Sequence, residues 1–269
     1  MLPSHPIQRL PKGDLFMRRM IEAACGCHIG KIRKNNEDNF FFAGKHLDSD
    51  NVGLEVPLSY VGPIKNGFSI VVFDGMGGEN FGEIASFTAA REIQRTKRPI
   101  KELLVPDEKY LNRQLLRLND AVVRSKKELC TDRMGTTMVG LYFSMGYAYI
   151  SNIGDSRAYR LRGNELVQLS QDHVLKRPGR EGKKAPLTQH LGIDPEDMLI
   201  EPYITKVKLQ RGDTYLLCSD GLTDMLTDYE ISDIMQNSED AVACVNRLME
   251  TALLHGGRDN ITAVVCKVH

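Results

Sequence analysis

The stretch "TTMVGLYFSMGYAYISNIGDSRAYRLRGNELVQLS", residues 136–170, contains four short segments rich in apolar, aromatic and β-branched residues. The turns between them, "SMG", "GDS" and "RGN", are only a few residues long. A crossover between parallel strands needs about a dozen residues or more, so consecutive strands here form antiparallel hairpins. The stretch therefore predicts an antiparallel sheet and argues against a doubly wound parallel one.

Strand-like segments of the same kind occur on both sides of this stretch. Those before it are "MIEAACGCHIG", "DNFFFAG" and "GFSIVVF", and those after it are "ITKVKL", "TYLLCS" and "NITAVVCKV". Each is a short apolar run bounded by turn-forming residues, as strands are. The chain from about Lys45 to Asn66 is polar and contains glycine, and it is predicted to be a loop.

Four helical patterns lie between these strands, each with apolar residues on one face. Thr227 and Glu230 stand in capping-box register at the start of the third helix. The second helix is predicted to begin at Pro106 and Asp107. The residues on the apolar faces of the first, second and fourth helices are Phe81, Ile84, Ala85 and Thr88; Leu111, Leu115, Leu118 and Val122; and Val242, Val245, Leu248 and Ala252.

The order of these elements is strands, helices, strands, helices and a final strand. It predicts an α+β fold, a four-layer α-β-β-α sandwich in which two antiparallel sheets are flanked by helix pairs. We expect one domain over residues 20–269, after a leader at residues 1–19 whose order the sequence leaves open.

Composition argues against nucleic-acid and membrane partners. The 35 lysines and arginines balance 35 aspartates and glutamates, so no broad field attracts nucleic acid or anionic lipid. The longest apolar runs are far shorter than the roughly 20 residues that span a bilayer. The N-terminal "MLPSHPIQRLPKGD" has no apolar core of a secretory signal. We therefore expect a cytoplasmic protein.

The six cysteines fit a reducing compartment. Five of them lie in apolar segments and are predicted to be small core residues: Cys25, Cys130, Cys218, Cys244 and Cys266. Cys25 and Cys27 form a C-x-C, but no second pair stands at zinc spacing, which argues against a zinc site.

Five aspartates share one setting, since each lies where an apolar strand begins or ends. Any one of them is explained by an ordinary turn. Several carboxylates at the strand ends of one sheet system repel each other unless a cation lies between them. Oxygen ligands without His or Cys favour the hard ions Mg²⁺ or Mn²⁺, bound largely through water. The five are Asp38, Asp74, Asp155, Asp220 and Asp259.

Two metal ions that share a carboxylate suit phosphoester hydrolysis, because they lower the pKa of a bound water to about 7 and hold the oxygens of an in-line displacement. Arg33, in "GKIRKNNED", comes just before the acidic cluster. Its planar guanidinium can bind two phosphate oxygens at once. A solvated surface arginine explains its position equally well.

Seven ordered motifs resemble the metal-dependent protein phosphatase family, the type 2C protein serine/threonine phosphatases, and particularly its compact bacterial branch. They are "GKIRKNNED", "VVFDGMGG", "MGTTMVG", "NIGDSRAYRL", "LSQDH", "LLCSDGLTD" and "GGRDNITAVV". The resemblance extends from about Ile21 to Val268 and implies metal-dependent hydrolysis of phosphoserine and phosphothreonine in proteins. It also implies a monomer whose substrates are proteins phosphorylated by a serine/threonine kinase.

The same resemblance implies a role for each site residue. Asp74 bridges two Mn²⁺ or Mg²⁺ ions, and Arg33 binds the substrate phosphate. Asp155 pairs with Asp220 at a third, weaker ion, while Asn260 supports the metal-binding loop. The remaining ligands are the Gly75 carbonyl, Asp220 and Asp259, with Glu37 and Asp38 acting through coordinated waters. Thr136 and Thr137 are expected to pack and hydrogen-bond beneath the site.

The sequence departs from the family at Met76, because many members carry a histidine there that protonates the leaving group. A thioether has no proton to give. The second departure is a shortened flap near residues 173–192, with a basic loop that we expect to favour acidic or multiply phosphorylated substrates. Its charged residues are Lys176, Arg177, Arg180, Lys183 and Lys184. A basic solvated loop is the simpler reading.

Other functions fit less well. The main alternative is a catalytically weak member that binds phosphoproteins as a regulatory module. Such a member is expected to have lost metal ligands, whereas all the candidate acidic ligands are present in this sequence. A structural domain with incidental aspartate turns does not explain why every candidate ligand falls at a strand end. No Walker motif is present. A cysteine phosphatase is disfavoured because no cysteine is followed five residues later by an arginine in a phosphate-cradling loop.

Overall fold

The computed structural model describes residues 19–64, 68–77, 81–96, 107–175 and 185–269. The leader predicted for residues 1–19 lies outside these ranges apart from Arg19. The five basic flap residues, Lys176, Arg177, Arg180, Lys183 and Lys184, also lie outside them.

Within these ranges the chain forms twelve strands and five helices. The strands are β1 (Met20–His28), β2 (Asp38–Phe41), β3 (Leu58–Pro63), β4 (Phe68–Met76), β5 (Gly135–Thr136), β6 (Met138–Ser144), β7 (Tyr147–Ile153), β8 (Arg157–Arg162), β9 (Glu165–Gln168), β10 (Tyr203–Lys208), β11 (Thr214–Cys218) and β12 (Ile261–Val268). The helices are α1 (Gly82–Arg95), α2 (Asp107–Glu128), α3 (Asp220–Thr223), α4 (Asp228–Gln236) and α5 (Ala241–Leu254).

The described strands pair into two six-stranded sheets. We call them sheet A, with the order β3-β1-β12-β11-β8-β9, and sheet B, with the order β10-β7-β6-β4-β2 and β5 paired to β4. Every one of these pairings is antiparallel. The hairpins predicted from residues 136–170 are present as β6-β7 and β8-β9. The prediction of two antiparallel sheets is confirmed.

Three apolar clusters separate four layers. One lies between the sheets and includes Phe40, Val72 and Val264. A second joins the outer face of sheet A to α4 and α5, and a third joins the outer face of sheet B to α1 and α2. Because successive residues of a strand point to opposite faces, each central strand contributes alternate side chains to two clusters. The four-layer α-β-β-α prediction is therefore confirmed.

The same alternation places the ends of several strands at one end of the layer between the sheets. In β4, Ile70 and Val72 face sheet A. Asp74 is two residues after Val72 and therefore points to the same face of the strand. In β2, Phe40 belongs to this layer and Asp38 precedes it by two residues. In β12, Thr262 precedes the inward-facing Val264 in the same way. Polar side chains thus lie at this end of the layer, where the apolar core between the sheets stops.

Three details differ from the sequence predictions. Residues Leu58–Pro63 form the edge strand β3, although they fall in the predicted loop, because pairing with β1 outweighs their weak local signal. A short helix, α3, begins at Asp220 and was not predicted. Cys130 is exposed: it lies beyond the end of α2 with φ 51°, so it leaves the apolar face of that helix. The other five cysteines are buried.

Within the described part of the chain, no helix is both long enough and apolar enough to cross a membrane.

Candidate metal and phosphate site

Two of the candidate aspartates face each other across a strand pair. Asp38 opens β2, Asp74 lies near the end of β4, and the two are direct partners in the antiparallel register. Directly opposed residues project to the same face of a sheet, with their Cβ atoms about 5 Å apart. Two like charges in that relation destabilise the pair unless a cation or a proton compensates them.

The backbone of Asp74 is fixed by two threonines. The Asp74 amide donates to Thr137 Oγ1 at 3.1 Å. The Asp74 carbonyl accepts from the Thr137 amide at 2.8 Å and from Thr136 Oγ1 at 3.0 Å. Both threonines are buried. They hold the strand end in place by hydrogen bonds, in the way that the sequence predicts.

Gly75 stands where three segments meet. Its amide donates to the Glu37 carbonyl at 3.0 Å. A Cβ at this position would collide with the backbone carbonyls of Gly82 and Glu37. Gly82 is the first residue of α1, and the Glu37 carboxyl packs directly against it. Only glycine allows the end of β4, the loop before β2 and the start of α1 to approach this closely.

The Asp38 side chain is 1% exposed and accepts two hydrogen bonds on a single oxygen. Ser219 Oγ and Thr262 Oγ1 each donate to Asp38 Oδ2, both at 2.7 Å. Asp38 Oδ1 is buried, and among the described residues it has no hydrogen-bond partner. A buried carboxylate oxygen without a partner is rare in folded proteins, and such an atom can accept from a water or bind an ion.

Burial shifts the acid–base properties of two candidate ligands. It raises the pKa of Glu37 to about 7, and the neighbouring Glu83 carboxylate adds to the rise. It also raises the pKa of Asp38, with the hydroxyls of Ser219 and Thr262 opposing the rise and the nearby Asp220 carboxylate adding to it. Both carboxyls are therefore held in surroundings that favour protonation or charge compensation.

Asn260 joins the start of β12 to the loop that carries Glu37. Asn260 Oδ1 accepts from the Glu37 amide at 2.8 Å. Asn260 Nδ2 donates to the carbonyls of Ile29 at 2.8 Å and Asn35 at 3.0 Å. One side chain thus fixes three points of residues 29–37, the segment that also contains Arg33.

Arg33 and Asp259 form an ion pair, with Arg33 Nη2 2.6 Å from Asp259 Oδ2. The Arg33 side chain remains 45% exposed. Asp259 and, more weakly, Glu37 and Asp74 raise the pKa of Arg33, so its guanidinium lies among the acidic groups. A guanidinium carries five N–H donors, and those not directed at Asp259 can bind an anion.

Asp155, Asp220 and Asp259 line one cavity of about 470 Å³. Its walls include Val174 and Ala185, which fall within the predicted flap at residues 173–192, and the residues at and just after the end of α3. Within the same segment, Val174 and Leu187 form an isolated antiparallel bridge. Three of the predicted ligands therefore surround a space large enough for hydrated ions and part of a substrate.

This donor set fits hard divalent cations held largely through water. Among the residues that the structure describes, no three His, Cys, Asp or Glu side chains lie close enough together to ligate a metal directly. The candidates are carboxylates and a backbone carbonyl, and Mg²⁺ in particular keeps several waters when it binds to such groups. The unsatisfied Asp38 Oδ1 is the kind of atom that accepts from a coordinated water.

The side chains of Met76 and His190 both lie beside Gly135. A Cβ added to Gly135 would be 2.7 Å from His190 Nδ1 and 2.9 Å from Met76 Cε. His190 Nδ1 is 2.9 Å from the Leu191 carbonyl, and burial lowers the pKa of the imidazole. At neutral pH His190 is therefore mostly uncharged.

Cys27 and Arg33 are separated by five residues, which is the spacing of a cysteine phosphatase, so residue spacing alone does not exclude that class. The structure supplies the missing reason. Cys27 is 1% exposed and lies within β1, and burial raises the pKa of its thiol to about 12. A nucleophilic cysteine must be accessible to the substrate and ionised to the thiolate. Cys27 is buried and its thiol stays protonated, so it meets neither requirement.

The structure brings the predicted residues into two neighbouring groups. The first contains Glu37, Asp38, Asp74 and Gly75, and the second contains Asp155, Asp220 and Asp259, with Arg33 and Asn260 connecting them. Ser219 and Thr262 were missed, although each is a polar residue at the end of an apolar strand and close in sequence to a predicted ligand. That signal was available in "LLCSDG" and "DNITAVV".

Comparisons with known proteins show which family this chain resembles. The family model "Protein phosphatase 2C" matches residues 62–255. The serine/threonine phosphatase stp of Listeria welshimeri is 32% identical over 251 residues, which cover 88% of this chain and 91% of that protein.

Two solved structures are also similar. PppA of Pseudomonas aeruginosa has a TM-score of 0.73 at 29% identity, covering 93% of this chain and 98% of that one. The catalytic domain of the serine/threonine phosphatase PstP, solved in complex with 2 manganese ions, has a TM-score of 0.72 at 28% identity, covering 93% of this chain and 99% of that one.

The resemblance drawn from seven sequence motifs is confirmed by these matches. The family model extends over more than half of the chain, and the Listeria relative is aligned along nearly its whole length. The chain belongs to the protein phosphatase 2C family of serine/threonine phosphatases.

Proposed function

We propose that this protein hydrolyses phosphoserine and phosphothreonine in proteins and requires Mn²⁺ or Mg²⁺ to do so. The observation that carries the proposal is the opposition of Asp38 and Asp74 in the β2–β4 register. Two buried or half-buried carboxylates facing each other need a proton or a cation to compensate their charge, and only a cation does so while both stay ionised. The two manganese ions of the PstP structure, which shares this fold, support the same conclusion.

The proposal assigns the ligands as follows. Asp74 would be shared by two ions, and the Gly75 carbonyl would be a ligand of one of them. Asp220 and Asp259 would be ligands of the other ion, and Asp155 would join Asp220 at a third, weaker one. Glu37 and Asp38 hold coordinated waters, and Asn260 fixes the loop that carries Glu37.

When bound, such ions supply positive charge for the phosphate and acidify an attacking water. Arg33 then binds the phosphate. Its ion pair with Asp259 directs the guanidinium toward the acidic cluster, and its exposed donors can take two phosphate oxygens. Asp259 thus serves both to hold a cation and to orient the arginine.

Met76 gives no proton to the leaving alkoxide, since a thioether has none. His190, whose side chain also lies beside Gly135, is mostly neutral because burial lowers its pKa. The proposal therefore takes this proton from water.

The proposed substrates are phosphoproteins made by a serine/threonine kinase, and the proposed working form is a monomer of one domain. The basic residues of the flap, Lys176, Arg177, Arg180, Lys183 and Lys184, would favour acidic or multiply phosphorylated substrates. Neutralising all five should raise KM for a phosphopeptide and leave a small aryl phosphate unaffected. An equal effect on both substrates would contradict this role.

The experiment that tests the proposed function is release of phosphate from a phosphothreonine peptide with Mn²⁺, with Mg²⁺ and with chelator. We expect turnover with either metal and none with chelator. Asp220→Asn removes one charge with little change of shape and should abolish Mn²⁺-dependent release. The matched control is Asp132→Asn, at an exposed aspartate outside the site. Peptide binding without turnover would instead support a regulatory phosphoprotein-binding module.

A further inference from the structure

The Asp38 carboxylate is held from the opposite sheet. Asp38 belongs to β2 of sheet B, whereas Ser219 follows β11 and Thr262 lies in β12, both of sheet A. Their hydroxyls reach Asp38 Oδ2 across 181 and 224 residues of sequence. All three side chains are at most 1% exposed. Water does not compete for these bonds, which strengthens them.

The direction of the Ser219 hydrogen bond is fixed by its neighbours. Ser219 Oγ accepts from the Thr262 amide at 2.9 Å, and the Ser219 amide donates to the Thr262 carbonyl at 3.1 Å. A hydroxyl carries one proton. Since Ser219 Oγ already accepts from an amide, its proton is available for Asp38 Oδ2.

The Thr262 hydroxyl has two acceptors within reach. Asp38 Oδ2 lies at 2.7 Å and Cys27 Sγ at 3.2 Å. A carboxylate oxygen is the nearer and stronger acceptor, and sulfur is a weak one, so the proton belongs to Asp38. Asn36 then completes the surroundings: its Nδ2 donates to Cys27 Sγ, and its Oδ1 accepts from the Asp38 amide, both at 3.2 Å.

Both hydroxyls donate to the same oxygen of Asp38. This distinguishes the arrangement from a clamp, meaning a set of hydrogen bonds that only links the two sheets. A clamp that served stability alone would satisfy both oxygens, because an unsatisfied buried acceptor costs roughly 1 to 3 kcal/mol. Here Oδ2 has two donors, whereas Oδ1 has none among the described residues. These two hydrogen bonds fix the orientation of the carboxylate group. Its other oxygen, Oδ1, can then accept a hydrogen bond from a water.

We propose that Ser219 and Thr262 are positioning residues that hold Asp38 by Oδ2 so that Oδ1 is presented to the water shell of a bound divalent cation. This inference rests on the proposed function, since it needs the cation. It assigns to two residues outside the predicted ligand set the task of orienting a ligand. Loss of such an orienting partner typically weakens metal binding about 10- to 100-fold.

The test is calorimetric titration of the metal-free full-length protein with MnCl₂. Thr262→Val and Ser219→Ala remove one hydroxyl each, and Thr262→Ser keeps the donor while removing a methyl group. The control is Ser238→Ala, which removes a buried hydroxyl that donates to the Ile234 carbonyl at 2.6 Å, at the end of α4. Urea midpoints of the metal-free proteins measure the general loss of stability in each variant.

We expect the Mn²⁺ Kd to rise about 10-fold or more in Thr262→Val and in Ser219→Ala. Thr262→Ser should stay within about threefold of the unmodified protein, and Ser238→Ala should leave the Kd unchanged. Should Thr262→Val fail to fold, the smaller Ser219→Ala change decides the question.

An unchanged Kd in Ser219→Ala and in any folded Thr262→Val protein would overturn the inference. So would an equal weakening in Ser238→Ala at a similar urea midpoint, because it would show a general effect of stability. A protein that binds no Mn²⁺ before any substitution contradicts the proposed function itself, so the two failures are distinguishable.

Discussion

Asp38 and Asp74 occupy opposite positions in the register of the antiparallel β2–β4 pair. Their carboxylates project to the same face of sheet B, at the end of the layer between the sheets where the apolar core stops. The Asp38 side chain is buried, and its pKa is raised mainly by that burial. Carboxylates in this relation destabilise the metal-free fold and create the field that a divalent cation relieves.

Asp38→Asn should therefore stabilise the metal-free protein while weakening its function. Asparagine keeps an acceptor for the hydroxyls of Ser219 and Thr262 and removes the opposed charge. We expect the free energy of unfolding in chelator to rise by about 0.2 to 1 kcal/mol, the range for cross-strand pairs. Urea unfolding at pH 8 measures it, with the exposed Asp132→Asn as control. A loss of stability in chelator would contradict the opposed-charge account.

Binding of Mn²⁺ should release protons, and more of them below pH 7 than above it. The pKa of Glu37 is raised from 4.5 to about 7. Between these two pH values, Glu37 keeps its proton in the metal-free folded protein and has lost it in the unfolded chain. Stability therefore falls as pH rises through this window, and a cation that needs the ionised carboxylate reverses the loss. Calorimetry in two buffers of different ionisation enthalpy counts the protons.

We expect more protons released at pH 6 than at pH 8.5, and a smaller difference in Glu37→Gln. Equal release at both pH values would show that carboxyls with raised pKa values do not take part in metal binding.

Arg33→Lys should impair catalysis far more than its conserved charge suggests. Lysine cannot offer the planar pair of donors that binds two phosphate oxygens. One lost hydrogen bond to a charged group is worth about 1.5 to 3 kcal/mol, which corresponds to a fall in kcat/KM of roughly 10- to 100-fold for a phosphothreonine peptide. The control is Lys34→Gln, which removes the adjacent exposed charge. A similar fall in the control would mean that only the local field matters.

Thr227→Ala should reduce stability without altering catalysis. Thr227 caps α4: its Oγ1 accepts from the Glu230 amide at 3.3 Å, while Glu230 Oε2 accepts from the Thr227 amide at 2.9 Å. Loss of an N-cap side chain costs about 0.5 to 2 kcal/mol. Urea unfolding with a parallel phosphatase assay checks both statements, and Thr227→Ser, which keeps the cap, should behave as the unmodified protein. A fall in kcat for Thr227→Ala would contradict the separation of this cap from the site.

Local sequence patterns were sufficient to predict most of the fold. The hairpins within residues 136–170 and the capping box at Thr227 and Glu230 depend on neighbouring residues, so the sequence displays them directly. Strand β3 was missed because its stability comes from pairing with β1, about 35 residues earlier. Cys130 was misplaced because an apolar neighbour, Leu129, concealed the end of α2.

The site was only partly visible for the same reason. Aspartates at strand ends could be recognised one by one, but their pairing depends on which strands meet. The contacts of Asp38 with Ser219 and Thr262 join residues 181 and 224 positions apart, and no local pattern contains them. Likewise, the ion pair of Arg33 with Asp259 follows from the packing of the loop before β2 against the start of β12.

The central claim is that the carboxylates gathered between the sheets hold divalent cations, and diffraction at the manganese absorption edge tests it most directly. Crystals grown with Mn²⁺ should give two strong anomalous peaks beside Asp74, each about 2 to 2.5 Å from its nearest oxygen ligand, with one of them also near Asp259. Crystals of Asp74→Asn should lose at least one of these peaks. Anomalous density confined to other parts of the molecule, with none beside Asp74, would contradict the account.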